Sequence, residues 1–111
     1  MCGSGTGNDM AACYVEIYNH QKSVMKNILD EMNITFTSQV LMDRALKSQE
    51  LWDTYAQYHC DSTMSLNGGW GGMQKYHCLS EHAKVRIEEL DSLNCYENGC
   101  PLRNQKAFAR D

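Results

Sequence analysis

The sequence predicts an all-α domain: an antiparallel helical hairpin plus a third helix, three-helix bundle-like and stapled by disulfides. Three observations lead there. Apolar residues recur at helical spacing through two long stretches and a shorter third one. The single proline, Pro101, stands near the end, so no proline interrupts a helix before it. Six cysteines occur in 111 residues, an even number in a chain that can bury only a modest core. With no C-x-x-C motif, three bridges are expected ahead of a metal cluster or free thiols. The length fits one domain over residues 1–111, with its core over 9–93 and a C-terminal disulfide loop and tail over 94–111.

Helix one is expected from about Asp9, a good N-cap residue, to Met32. Its apolar face is Cys13, Ile17, Val24 and Ile28, widened by Tyr14, Tyr18, Met25 and Met32. Asn33 to Phe36 reads as the turn, and Thr37 as the cap of helix two. Phe36 before that cap and Leu41 inside the helix have the spacing of a hydrophobic staple. Helix two runs to about Cys60 on a stripe of Leu41, Ala45, Trp52, Tyr55, Ala56 and His59. Ser62 to Gly72 breaks the pattern and reads as loop, its Asn67-Gly68-Gly69-Trp70-Gly71-Gly72 above all, because glycine in a helix interior costs about 1 kcal/mol relative to alanine. Helix three is expected from about Met73 to Leu93, with Tyr76, Leu79, Ala83, Ile87 and Leu90 on one face. Asn98-Gly99 signals a turn between Cys95 and Cys100.

A short connection makes helices one and two antiparallel, and the longer loop still lets the chain return for a third pass. In that order the start of helix one, the end of helix two and the start of helix three share one end. Cys13, Cys60 and Cys78 meet there, with Cys2 able to fold back, while Cys95 and Cys100 lie at the other end. The favoured pairing is Cys2–Cys13, Cys60–Cys78 and Cys95–Cys100. Cys13 paired with Cys60 or Cys78 remains the competing solution.

Net charge is −4 and the pI near 5.5. A nucleic-acid partner is not expected, since phosphate binding needs a basic surface. A basic protein partner would be steered toward the chain. No run approaches the ~20 apolar residues of a membrane span. Met1-Cys2-Gly3-Ser4-Gly5 reads as an initiator methionine on a mature chain whose export signal has been removed, pointing to the periplasm or to secretion. Cys2 is alternatively the lipid-anchored cysteine of a lipoprotein.

Three groups of residues are candidates for function. His59-Cys60 and His77-Cys78 offer two histidines and two cysteines, the donor set of a zinc site. The spacing is not that of a finger and adjacent helical side chains diverge by about 100°, so neither metal nor cofactor is expected. His20 and Arg86 fall inside apolar stripes near the level of Gln49 and Trp52. The reading preferred is a structural network, Arg86 stacking on Trp52 or bonding to Gln49 or Asp53; the rival is a polar groove for a small ligand. The glycine-rich loop presents Trp70 with Asn67 and Gly69, flanked by Asp61 and Lys75. Trp70 is either a plug on the bundle end or a protein-binding anchor. No nucleophile elbow occurs, no Lys-Ser/Thr follows the glycines, and oxidised cysteines cannot act as nucleophiles, so no enzyme is expected.

Gln49-x-x-Trp52-x-x-Tyr55 followed by Cys60 resembles the Q-x-x-W-x-x-Y-R-x-x-x-C segment of the lysozyme-inhibitor LprI-like family of exported bacterial proteins. The glycine-rich loop, then Cys78-Leu79 with Arg86 and Leu90, resemble that family's next loop and helix, and Cys2 and Cys13 its N-terminal cysteine pair. The resemblance covers roughly residues 2 to 93. Ala56 stands where the family carries arginine, and Lys22 and Met25-Lys26 replace its aspartate and Leu-Asn, so an interhelical charge pair is not carried over. The Cys95–Cys100 loop is an addition. The resemblance implies an exported helical binding protein that inhibits a lysozyme-type muramidase. The alternatives are an immunity-type inhibitor of another peptidoglycan hydrolase and a small-ligand envelope protein.

Overall fold

The computed structural model describes Cys2 and residues 7–64 and 71–98, with side chains for Cys2 and residues 10–63 and 72–95. Three helices make it up: α1 (Gly7–Thr35), α2 (Gln39–Met64) and α3 (Gly71–Asn98). The long axis is 48 Å, close to the ~43 Å that 29 residues reach at 1.5 Å each. Contacts at spaced levels fix the directions. Tyr18 and Met25 of α1 meet Gln57 and Gln49 of α2, so these helices are antiparallel. Gln21 and Glu31 of α1 meet Ser80 and Asn94 of α3, so these are parallel. The up-down-up order is therefore the one expected, with one difference. The closest pair is α1 with α3, and α1 touches α2 only sparsely. Small Ser80 and Ala83, both buried on α3, let α1 approach near enough for Gln21 Nε2 to donate to the Ser80 carbonyl at 3.1 Å.

Each helix is longer than its sequence pattern suggested. α1 starts at Gly7, so Asp9 falls inside the first turn, and it continues through Thr35, with the Phe36 N–H still donating to the Met32 carbonyl at 2.8 Å. The cap of α2 is Ser38 rather than Thr37. Its Oγ accepts from the Leu41 N–H at 3.2 Å, and its carbonyl accepts from the Met42 N–H at 3.1 Å, the two bonds that define an N-cap. α2 runs past Cys60 to Met64, so Ser62, Thr63 and Met64, expected in the loop, are helical. α3 begins at Gly71, two residues inside the stretch read as loop, because a first turn tolerates glycine where an interior does not. It ends at Asn98 rather than Leu93, carrying buried Asn94.

The core is built from Tyr18, Met25, Ile28 and Met32 of α1, Met42, Ala45, Ala56 and Cys60 of α2, and Leu79, Ala83 and Leu90 of α3. Phe36 packs against it, but Leu41 is 45% exposed, so the Phe36–Leu41 staple is not made. Moving the cap by one residue moves the inward position to Met42. At the other end of α2, Cys60 is buried while Tyr55 and His59, expected on the stripe, are exposed. Ala56, where the family pattern carries arginine, is fully buried. Cys2 pairs with Cys13 and Cys60 with Cys78. Cys95 is also bonded, and the expected partner Cys100 lies outside the described residues. No helix among the described residues is long and apolar enough to cross a membrane.

Candidate functional site

The end of the bundle where α2 stops and α3 starts gathers most of the chemistry. Cys60, fully buried in the last turns of α2, and half-buried Cys78 of α3 close the base of the intervening loop. Asp61 and Lys75, both expected to flank a binding surface, are joined across that base by an ion pair of 2.8 Å. Lys75 Nζ also lies 5.9 Å from the Tyr76 ring centroid. The other three residues expected there, Asn67, Gly69 and Trp70, lie outside the described residues.

Beside the bridge stands a cluster of rings. His59 Nδ1 and His82 Nε2 are 2.7 Å apart, one donating to the other. Tyr55 stacks on His59 at 5.7 Å and meets His82 edge-on at 5.6 Å. Burial first, and the neighbouring His59 second, hold the His82 imidazole below the ordinary histidine range, favouring its neutral form. Of the two histidines that the sequence sets beside cysteines, only His59 joins this cluster. His77 points to another flank, 4.9 Å from the Tyr14 ring and 3.7 Å from a Glu81 oxygen. His82 is the one that shares a face with Cys78. Its signal was available, since it follows Cys78 by one helical turn.

These rings border an open groove of about 490 Å³ between α2 and α3, lined also by Trp52 and by Val85, Arg86 and Glu89. On the other side of Trp52 a second open groove, about 540 Å³, runs along α1 and α2 past Met25, Gln49 and Asp53. Between the two sits the polar network. Arg86 is 7% exposed, and each guanidinium nitrogen has an acceptor: Nε gives to Gln49 Oε1 at 2.8 Å, one terminal nitrogen to Ser48 Oγ at 2.7 Å, the other to Glu89 at 3.1 Å. Gln49 in turn donates to Met25 Sδ at 3.5 Å, so the network joins all three helices. Arg86 and Gln49 are thus brought together next to Trp52. His20, expected at the same level, is exposed and lines neither groove. With each of its three guanidinium nitrogens bonded within the protein, Arg86 ties α3 to α2.

A family model described as lysozyme inhibitor LprI matches residues 2–90, which takes in α1, α2 and most of α3. No curated protein and no solved structure matches the chain.

Proposed function

The chain belongs to the lysozyme inhibitor LprI family, and from that membership we propose that it is an exported binding protein that inhibits a lysozyme-type muramidase. The family match over residues 2–90 carries the reading. Charge supports it: a net −4 chain attracts a basic enzyme and speeds its encounter. The contact surface is centred on the segment from Ser62 to Gly72, which takes in the end of α2 and the start of α3, with Trp70 as its anchor together with Asn67 and Gly69. A disulfide and the Asp61–Lys75 pair hold the base of that segment, which lowers the entropy lost on docking. The surface extends onto Tyr55 and Tyr58 of α2, which are 59% and 76% exposed.

The test is inhibition of several lysozyme types, read as slowed clearing of a cell-wall suspension, with binding measured in parallel. Stoichiometric inhibition of at least one type is expected, and neither binding nor inhibition of any would sink the proposal. Trp70→Ala should weaken binding by about 2 kcal/mol or more, near thirty-fold. A variant that keeps its affinity places the contact elsewhere; one that instead loses thermal stability makes Trp70 a plug of the bundle end.

A further inference from the structure

The ring cluster beside the loop base has a use that the inhibitor reading does not draw on. We propose that reduction of the Cys60–Cys78 bridge converts this cluster into a Cys2His2 site for a divalent cation of the zinc class. One ligand atom from each of His59, Cys60, Cys78 and His82 lies within 4.8 Å of the other three. A tetrahedral zinc ion with bonds of about 2.0–2.3 Å needs ligand atoms roughly 3.3–3.8 Å apart. His59 Nδ1 is already 3.9 Å from Cys78 Sγ. The change required is for the sulfurs to part and for the two imidazole nitrogens, now 2.7 Å from each other, to spread around an ion.

The frame for this is shared by two helices. His59 and Cys60 are consecutive on α2, while Cys78 and His82 are one turn apart on α3, so an ion would hold the same pair of helices that the bridge holds. Tyr55 packs against both imidazoles and restricts their ring planes. In the oxidised chain the disulfide sulfurs are neutral and weak donors, leaving two histidines. A dithiol reductant supplies two electrons and two protons, becoming a disulfide while Cys60 and Cys78 become thiols. Binding of the cation releases those two protons to solvent and leaves two thiolates around a dication. That neutral assembly suits Cys60, which is fully buried. The spacing matches no finger motif because the ligands come from two helices, and the packing of α2 on α3 brings the two pairs together.

The experiment uses the full chain, treated with a phosphine reductant without oxygen and titrated with zinc against a chromophoric chelator, then with cobalt. Reduced protein should take up one cation and show thiolate-to-cobalt charge transfer with tetrahedral ligand-field bands; oxidised protein should not. His59→Ala and His82→Ala should each weaken uptake roughly a hundredfold or more, since a closed four-ligand site becomes a three-ligand one. His77→Ala and the pair Cys2→Ser with Cys13→Ser should leave it unchanged. No uptake by the reduced chain overturns the proposal, as does uptake indifferent to His82→Ala or dependent on Cys2 and Cys13. Should reduction alone lower helicity, circular dichroism decides: zinc restoring the helical signal supports the site, and zinc without effect overturns it.

Discussion

Arg86 shows how much a single buried polar side chain holds. It spans from α3 to α2 with three protein acceptors, and Gln49 passes the tie on to α1. Arg86→Ala leaves Gln49 and Ser48 without that partner and opens a void, so a loss of about 2 kcal/mol is expected, seen as a melting temperature lower by roughly ten degrees. A double-mutant cycle on Arg86→Met and Gln49→Leu should give a coupling of about 1–2 kcal/mol; strict additivity would mean that this bond contributes nothing. Tyr18 is sensitive to pH instead. Burial, and after it the negative charge of Asp53, raise its phenol above the ordinary 10.0, against a smaller opposing effect of the Gln57 bond. The folded state therefore keeps the proton longer than the unfolded chain. The contribution to stability is complete below the unfolded value and is lost as pH rises through the folded one. Thermal melts between about pH 9 and 11 should fall more steeply for the native chain than for Tyr18→Phe, which has no proton to lose, and parallel curves would contradict this. At this scale the sequence revealed Arg86 and Gln49, because a charge inside an apolar stripe must find partners. His20 lies at the edge of an apolar stripe about 100° wide, where periodicity leaves a position undecided between core and solvent, and His77 was singled out by its adjacency to Cys78, which sets the two side chains about 100° apart.

At the scale of the element, the existence and order of the helices were legible from periodicity, and their ends were not. Thr37 and Ser38 are chemically equivalent capping candidates, and the bonds that the Leu41 and Met42 N–H groups donate to the Ser38 Oγ and carbonyl identify Ser38 as the cap. That one-residue difference rotates the start of α2 by about 100°, which exposes Leu41 and buries Met42. Ser38→Ala should cost about 1 kcal/mol, and Ser38→Asp should retain most of the stability; equal melting temperatures for all three proteins would show that the cap does not matter. The start of α3 offers the opposite test. Gly72 lies within the helix, and a Cβ added there would meet nothing within 4 Å. Gly72→Ala should thus stabilise by up to about 1 kcal/mol, mainly by narrowing the unfolded ensemble. A lower melting temperature would mean that the loop before it needs the glycine's freedom.

For the whole molecule, the two characterised bridges do unequal work because they close different things. Cys2–Cys13 spans 11 residues and ties the N-terminal segment to the first turns of α1. Cys60–Cys78 spans 18 residues and joins two core helices at the loop base, beside the His59–His82 pair. Loop closure alone predicts about 3 kcal/mol for each, with only a few tenths between them. The packing predicts a larger difference. α2 is the helix least supported by α1, so its hold on the bundle rests on α3, through the Arg86 network toward one end and the bridge at the other. Without the bridge, the last turns of α2 can separate from α3 before the rest unfolds, exposing the amides around Cys60 at a free energy well below the global value. Cys60→Ala with Cys78→Ala should therefore lower the melting temperature by more than ten degrees and accelerate hydrogen exchange in the last turns of α2 and the first of α3. Cys2→Ala with Cys13→Ala should affect exchange only in the first turns of α1. Uniform acceleration along all three helices in both variants would mean that the bundle opens as one unit and that α2 is as firmly held as its neighbours.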